Sequence, residues 1–384
     1  MAFPPTPEFM RSHQQQWRPC WFVVVMSGLG FVAASTNADE FTIGLDNGDT
    51  TTLTARFAGE GRKATALEMP DGGWKLIPSD RIQQRKAGAD PKPLTHEELL
   101  TQINEEFSAT RTITNIDKPF VIVLVRARPG ALDPAIEKRY QLVVKKAATF
   151  FKGMQTNFLE FVKQARIETQ AVKYPLAALI FESDRHFDAY TARVTEDQSG
   201  LSSPNVAAFY DLQTNRLVIR LSECTTFDTP LHEAVHQQVY NRGILQRFAP
   251  IPSWFNEGIA TGFEGDGERV RSGPKSISDR YGQMALRARV VTWKEIVARD
   301  EPFQGDVLAA EAYGHAWGLH WLLVTKYRAE YNNLVKHYAS KKPLEVDRPD
   351  ERIAEFEKIV GKTVNELQRE FQMELPRAMA RRKN

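Results

Sequence analysis

The chain has 384 residues, of which 42% are hydrophobic and 26% are charged, and its formal net charge is +2. This length allows two or three domains with a substantial hydrophobic core. The near balance of basic and acidic residues argues against a nucleic-acid-binding protein and against a strongly acidic partner.

Residues 1–38 have the features of a secretory signal peptide. Arg11 and Arg18 are positively charged, and an apolar run from Trp21 to Ala34 is followed by small residues that suit a cleavage site. The run is shorter than the roughly 20 residues that span a bilayer, so we expect no stable membrane anchor. We therefore predict an exported protein, periplasmic or extracellular, in which Cys224 is a buried, unpaired thiol after cleavage.

Residues 39–86 predict a small β-rich module. Apolar residues alternate with polar ones over residues 41–45, and the turn sequence Asp46-Asn47-Gly48-Asp49 that follows is typical of a β-hairpin. Further short strands are expected at residues 53–57, 64–69 and 74–77. The pattern indicates an SH3-like β-barrel, whose role as a spacer or as a binding module for a partner or the cell envelope stays open.

Residues 87–116 are predicted as a linker that carries a short polar helix near residues 95–107. After this linker, strand and helix patterns predict an α+β domain over residues 117–376. We expect strands at Phe120–Val125, Leu176–Phe181 and Arg216–Leu221. The first long helix of the domain is expected at Pro134–Phe161. From Trp293 to Leu375 the chain is predicted to be mostly helical, and residues 377–384 form a basic tail that we interpret as a solvated helix end.

The most informative motif is His232-Glu233-Ala234-Val235-His236. Residues four apart lie on one face of a helix, so His232 and His236 can bind a single metal ion. Glu233, between them, can take a proton from a water molecule that the ion activates. Thr229 and Pro230 predict the helix start, as N-cap and first helical residue. The alternative is a solvated helix with two incidental histidines.

A second helix carries the expected third ligand, Glu257. We predict that this helix begins after Pro252, with Ser253 as its cap. Apolar residues surround the carboxylate: Trp254, Phe255, Ile259 and Phe263. A carboxylate in a buried segment requires a cation, which favours a ligand over an exposed surface group. The small residues Gly258 and Ala260 should let this helix press closely against the first.

These residues resemble the gluzincin-type zinc peptidases of the thermolysin-like clan, in which His-Glu-x-x-His is joined by a Glu from a following helix. More closely, the chain is similar over about residues 117–375 to an uncharacterised family of secreted bacterial proteins, domain of unknown function 1570. The similarity rests on the segments Tyr210–Arg216, His232–His236, Pro252–Gly258 and Tyr313–Trp317.

The resemblance implies a thermolysin-like zincin catalytic domain, with a mixed sheet, an active-site helix and a helical C-terminal half. In that architecture, an edge strand just upstream of the metal-binding helix lines the cleft and pairs with an extended substrate. We expect residues Leu217–Leu221 to form this strand.

One position departs from the thermolysin-like pattern. Those enzymes have an Asp four residues after the ligand Glu, which orients a metal-bound histidine, and this chain has Thr261 there. An imidazole ligand needs a partner that fixes its tautomer and orientation. Thr261, Glu264 or a backbone carbonyl must therefore take this role.

Tyr313 and His315 are candidates for the hydrogen-bond donor that stabilises a developing oxyanion. They lie two residues apart on a helix predicted over residues 312–328, so at most one should face the cleft. The resemblance favours Tyr313, with an ordinary core tyrosine as the alternative. We expect His315 and His320 to pack in the core or support the ligands. No other candidate ligands accompany His186 and His337 in the sequence.

We therefore predict a secreted zinc metallopeptidase that hydrolyses a peptide or protein substrate. His232, His236 and Glu257 would bind Zn²⁺, Glu233 would act as the base, and Tyr313 would be a second catalytic residue. Two alternatives remain: a non-catalytic, zinc-stabilised binding protein of the cell envelope, and a zinc amidase that acts on a non-protein amide. The intact Glu233 argues against the first, because a purely structural site needs no base.

Overall fold

A computed structural model describes residues 39–195, 206–265, 270–271, 273–304 and 306–383. The predicted signal peptide, residues 1–38, lies outside the described residues. Within the described ranges, no helix combines the length and the apolar character needed to cross a membrane.

The N-terminal region forms two three-stranded antiparallel sheets. Its strands are β1 (Glu40–Gly44), β2 (Thr50–Thr54), β3 (Arg56–Glu60), β4 (Ala64–Glu68), β5 (Trp74–Pro78) and β6 (Ile82–Lys86). One sheet has the order β2-β1-β6 and the other β3-β4-β5. The hairpin predicted at residues 46–49 is confirmed, because Gly44 pairs with Thr50 across it.

The module is β-rich as predicted, but the small β-barrel expected from the sequence is wrong. The chain leaves the first sheet after β2, passes through the buried residue Ala55, and enters the second sheet as β3. Strands β2 and β3 do not pair, and β6 returns to pair with β1. The two sheets therefore keep separate edges, and the described strands do not close on themselves.

A five-stranded mixed sheet forms the centre of the molecule, with the order β10-β11-β9-β8-β7. Its strands are β7 (Thr112–Asp117), β8 (Phe120–Val125), β9 (Leu176–Phe181), β10 (Ala208–Asp211) and β11 (Arg216–Arg220). The three central strands are parallel, and the two outer strands are antiparallel to their neighbours. Helices cover both faces, which explains why β8 and β9 are buried along their whole length.

The helices of the N-terminal half lie against this sheet. They are α1 (His96–Phe107), α2 (Pro134–Ala165) and α3 (Asp184–Thr195). Leu99 and Ile103 of α1 pack with Phe187 and Tyr190 of α3 on one face. The apolar stripe of α2 packs on the other face, within the main core. A capping box at Thr95 fixes the start of α1.

The edge strand predicted at Leu217–Leu221 is wrong. Strand β11 lies inside the sheet, paired with β10 on one side and β9 on the other. The outer strand on this side is β10, in which Tyr210 faces Leu217 across the ladder. Because all four residues of β10 are buried, its sequence lacks the alternation that would have distinguished it as a separate strand.

The C-terminal half is helical, as predicted. Its helices are α4 (Asp228–Asn241), α5 (Ser253–Thr261), α6 (Asp279–Arg287), α7 (Trp293–Ala298), α8 (Asp306–Lys326), α9 (Arg328–Ser340), α10 (Pro349–Val360) and α11 (Val364–Lys383). A Cβ atom on Gly258 would lie 2.7 Å from the carbonyl oxygen of Ala316, so this glycine lets α5 approach α8 closely, whereas we expected it to face α4. Helix α11 continues to Lys383, which agrees with a helical end for the basic tail.

The α+β class predicted from the sequence is therefore confirmed. The predicted burial of Cys224 is also confirmed, and burial raises the pKa of its thiol to about 12. The mixed sheet and the helical half meet at α4, which contacts β10 and β11 as well as α5. Residues from both halves can thus reach one site.

Candidate metal centre

Helix α4 carries the His-Glu-x-x-His motif in its first turns. It begins at Asp228, one residue before the predicted cap Thr229, and Phe227 takes the N-cap position with φ 59°. The first helical hydrogen bond runs from the Leu231 N–H to the Phe227 carbonyl, at 2.9 Å. Pro230 still lies in the first turn, where N–H groups have no partner within the helix, so the shift costs no hydrogen bond.

Helix α5 begins at Ser253, but Ser253 does not cap it as predicted. The N-cap residue is Pro252, which has no side-chain hydrogen bond to the helix. Asp300, from the segment after α7, instead accepts a hydrogen bond from the Ser253 N–H at 2.7 Å. Around Glu257, the residues Trp254, Phe255 and Ile259 are fully buried, as predicted.

Three side chains from α4 and α5 converge on one point. The Nε2 atoms of His232 and His236 lie 3.0 Å apart. Oε2 of Glu257 lies 2.9 Å from Nε2 of His232 and 3.5 Å from Nε2 of His236. Both histidines are buried, and the three groups could hold a metal ion.

The spacing and charge of these groups fit a bound cation. Ligand atoms about 2.0 Å from a tetrahedral ion lie ~3.3 Å from one another, close to the separations in this cluster. The carboxylates of Glu233, Glu257 and Glu264 interact with His232, so negative charge is concentrated in a largely buried space. Charges in such surroundings need compensation, which a divalent ion between the ligand atoms would supply.

The pKa values of Glu257 and His232 are shifted by the charges and hydrogen bonds of their neighbours in the cluster. Burial alone would raise the pKa of Glu257, but the adjacent histidines outweigh it and lower that pKa well below the usual range. Burial alone would lower the pKa of His232, but hydrogen bonds to Glu257 and Glu264 outweigh it and raise that pKa. Each group is thus held in the form that its neighbours stabilise.

Glu264 is the residue that orients His232. Its Oε1 atom lies 2.8 Å from Nδ1 of His232, the ring nitrogen that faces away from the ligand cluster. The Tyr281 hydroxyl donates to Oε2 of Glu264 at 2.6 Å and holds the carboxylate in place. Thr261 is buried and donates to the Gly258 carbonyl of its own helix. Of the predicted partners, the structure therefore places Glu264 against the imidazole.

Tyr281 was not identified from the sequence. It lies on α6, and its hydroxyl reaches Glu264 across the space between α6 and the end of α5. No local spacing relates the two residues. On His236, the second ring nitrogen, Nδ1, is buried and has no hydrogen-bond partner among the described residues.

Glu233 lies beside the ligand cluster without belonging to it. Its Oε2 atom accepts a hydrogen bond from the backbone N–H of Tyr210 on β10, at 2.9 Å. Burial raises the pKa of Glu233, and the two histidines partly oppose this shift. The outer strand of the sheet thus fixes one carboxylate oxygen of the predicted base.

Tyr313 of α8 faces the same site. Its ring lies 6.2 Å from the His232 ring and packs edge-on against Phe303 at 5.6 Å. The charge of Glu257, followed by burial and the charge of Glu233, raises the pKa of the Tyr313 hydroxyl. The group therefore stays protonated and remains a hydrogen-bond donor near neutral pH.

The four other histidines considered from the sequence lie away from the ligand cluster, as predicted. His315 accepts a hydrogen bond from the Trp293 indole at 3.1 Å and donates to the Val291 carbonyl at 2.9 Å. His320 is hydrogen-bonded to the Tyr331 hydroxyl at 3.1 Å. His186 contacts Arg111, and His337 contacts Glu355.

Residues 226–345 match the model of a family described as "Protein of unknown function (DUF1570)". This match is narrower than the similarity expected from the sequence, but it includes α4, α5 and α8. All three ligand candidates, together with Glu233, Glu264 and Tyr313, therefore lie inside the matched segment. No curated protein matches the chain.

Proposed function

We propose that the protein is a zinc-dependent metallopeptidase with a thermolysin-like catalytic arrangement, exported as its N-terminal sequence predicts. The position of Glu233 carries this proposal. The carboxylate lies next to a His, His, Glu ligand cluster, stays outside that cluster, and is held by the Tyr210 N–H at 2.9 Å. A site that only bound metal for stability would have no use for this carboxylate.

The ligand cluster suits zinc in particular. His232 and His236 would contribute imidazole nitrogens and Glu257 a carboxylate oxygen, a donor set typical of catalytic rather than structural zinc sites. When bound, the ion supplies Lewis-acid activation of a water molecule and of the substrate carbonyl. Glu264, backed by Tyr281, would keep the His232 ring in the tautomer that leaves Nε2 free for the ion.

Glu233 and Tyr313 would divide the remaining chemistry. Because Oε2 of Glu233 accepts the Tyr210 N–H, Oε1 is available to take a proton from the attacking water and pass it to the leaving amine. The Tyr313 hydroxyl would donate a hydrogen bond to the carbonyl oxygen as negative charge develops there. Its raised pKa suits this donor role.

The side of β10 that faces away from β11 favours a peptide substrate, since β10 pairs with β11 alone among the described strands. In an antiparallel ladder, residues alternate between pairing with the neighbouring strand and facing away from it. The Tyr210 N–H points to Glu233, away from β11, so the backbone groups of Ala208 share that direction. An extended peptide could therefore add to this edge beside the metal ligands.

The decisive experiment measures metal content and cleavage of a peptide library together. Glu233→Gln preserves shape but cannot accept a proton, so it should keep wild-type zinc content while hydrolysis falls by ~10²–10⁴. Glu257→Gln should weaken zinc binding and activity together, because a neutral amide is a poor zinc ligand. Loss of zinc from Glu233→Gln would mean that the roles are misassigned.

Two further outcomes would contradict the proposed activity. Full hydrolysis by Glu233→Gln would exclude the mechanism. A wild-type protein that holds one zinc and cleaves no peptide would instead point to a binding protein or to an enzyme for another amide.

A further inference from the structure

Strands β10 and β11 form a hairpin, residues 208–220, whose Tyr210 N–H binds Glu233. This β10–β11 hairpin contacts the N-terminal module. Strands β10 and β11 are joined by a tight turn at residues 212–215. Inside the turn, the Asp211 carboxylate accepts hydrogen bonds from the N–H groups of Gln213 and Thr214, at 2.9 and 3.2 Å. The Tyr210 hydroxyl donates to Oδ1 of Asn215 at 2.7 Å. The position of the Tyr210 N–H therefore depends on this turn.

The outer side of the turn contacts the β4–β5 turn of the N-terminal module. The Trp74 N–H donates to the Gln213 carbonyl at 2.6 Å. Gly72 approaches so closely, with φ +83°, that a Cβ atom there would lie 2.9 Å from Nδ2 of Asn215 and 2.8 Å from Cγ of Tyr174. Only a glycine allows the two turns to meet at this distance.

Arg247 joins the two turns. Its Nη1 atom donates to the Gly72 carbonyl of the module at 2.7 Å and to the Leu212 carbonyl of the hairpin at 3.3 Å. The side chain is only 5% exposed, and its charge lies 3.6 Å from Glu68 and over the Trp74 ring. A buried guanidinium of this kind requires both the carboxylate and the two carbonyl acceptors.

We propose that the N-terminal module, residues 39–86, is part of the catalytic unit rather than a spacer, and that Arg247 and Gly72 are positioning residues for Glu233. Arg247 and Gly72 fix the position of the turn at residues 212–215. This turn positions Tyr210, and the Tyr210 N–H donates to the Glu233 carboxylate. This inference rests on the proposed catalytic role of Glu233. It assigns a function to the module, which lies outside the segment that matches the family model.

Two glycines of the module provide a matched test. Gly48 and Gly72 have nearly the same backbone conformation, with φ +86° and +83°, but nothing lies within 4 Å of a Cβ atom on Gly48. Gly48→Ala and Gly72→Ala therefore add similar backbone strain, and only Gly72→Ala also adds close contacts, with Asn215 of the hairpin and with Tyr174. Hydrogen exchange of residues 206–217 should be about tenfold faster in Gly72→Ala than in Gly48→Ala.

The activity of the same variants tests the link to Glu233. Among the described residues, the hydrogen bonds and ion pairs of His232 and His236 lead to Glu257, Glu264 and each other, not to the β10–β11 hairpin, so zinc content should match in both variants. The kcat of peptide hydrolysis should fall ten- to a hundredfold in Gly72→Ala, on the order expected for a misplaced catalytic group, while KM changes little. Arg247→Met should likewise speed hydrogen exchange of residues 206–217 and lower kcat. Its control is Arg126→Met, since Arg126 is 7% exposed and also donates to two backbone carbonyls, away from the hairpin.

These experiments test the positioning role of the module separately from the proposed peptidase activity. Equal exchange in the two glycine variants, or faster exchange in Gly72→Ala without loss of kcat, would overturn the positioning role. If the wild-type protein cleaves no peptide but Gly72→Ala still loosens the hairpin, the attachment of the module is supported and the peptidase proposal fails. If Arg247→Met does not fold, the glycine pair still gives the answer.

Discussion

Two pairs of buried histidines lie on α4 and α8, two helices that both contact α5, and only the α4 pair forms a candidate metal site among the described residues. His232 and His236 of α4 are 9% and 5% exposed, and His315 and His320 of α8 are 3% and 0% exposed. On α4 the two Nε2 atoms face each other at 3.0 Å. On α8 each ring has its own neutral partners, an indole and a carbonyl for His315 and a hydroxyl for His320.

The surrounding charge separates the two pairs further. Burial lowers the pKa of His320 to about 3, and the described groups that oppose this shift are the backbones of Phe255 and Trp254 rather than a carboxylate. Around His232, Glu257 and Glu264 reverse the effect of burial and raise the pKa. Burial therefore does not identify a ligand. Ligands are identified by a spacing of one helical turn between two histidines and by carboxylates that face their rings.

The largest effect should separate the two pairs directly. His236→Ala removes one of the three proposed ligands, so we expect it to retain less than about a tenth of the wild-type zinc and no measurable hydrolysis. His315→Gln, the control, should retain full zinc content because its partners lie outside the cluster. Metal analysis after dialysis checks both variants. Stoichiometric zinc in His236→Ala, or its loss from His315→Gln, would contradict the ligand assignment.

The sequence predicted the part of the site that local geometry determines. The spacing of His232 and His236 places them on one face of any helix, and the apolar neighbours of Glu257 imply a buried carboxylate. By contrast, the choice of Glu264 over Thr261 depends on how the chain turns after α5 and where Tyr281 of α6 lies. Such long-range contacts leave no periodic pattern in the sequence.

The same limit explains the errors in the sheet and the module. The strand at Arg216–Arg220 was predicted closely, but its place inside the sheet depends on β10, a short buried strand without alternation. The hairpin at residues 46–49 was predicted because its turn sequence is local. Whether short strands close into a barrel depends on pairing between distant residues, which that turn sequence does not determine.

The second prediction concerns what α8 does contribute to the site. Tyr313 faces His232, whereas His315, two residues further along the helix, faces Trp293. Tyr313→Phe should lower kcat by ~10²–10³, as for loss of one oxyanion donor, with unchanged zinc content. Steady-state kinetics beside metal analysis would test this. A kcat within a factor of two of wild type would show that Tyr313 is an ordinary core residue.

The third prediction tests the carboxylate that distinguishes His232 from the histidines of α8. Glu264→Ala removes the partner of Nδ1, and we expect zinc affinity to fall ~10–100-fold. Thr261→Ala, at the position where thermolysin-like enzymes have an Asp, is the control and should leave the affinity unchanged. Competition with a chelator measures both. The assignment of Glu264 fails if Thr261→Ala weakens zinc binding more than Glu264→Ala does.

The smallest expected effect is a loss of folding stability when the His320 side chain of α8 loses its partner. This loss should be the same with and without bound metal. Tyr331→Phe removes the hydroxyl bonded to His320 and leaves a buried ring nitrogen unpaired, which should cost about 1–3 kcal/mol of the free energy of unfolding. Zinc bound at the α4 site as proposed would stabilise only the folded protein, so removing it from the wild type should lower the free energy of unfolding. Because the α8 pair takes no part in that binding, the cost of Tyr331→Phe should be the same with and without zinc. Urea denaturation of both proteins, each with zinc and after chelation, gives four unfolding free energies. A cost that disappeared in the zinc-free protein would couple His320 to the metal and remove the distinction between the two histidine pairs.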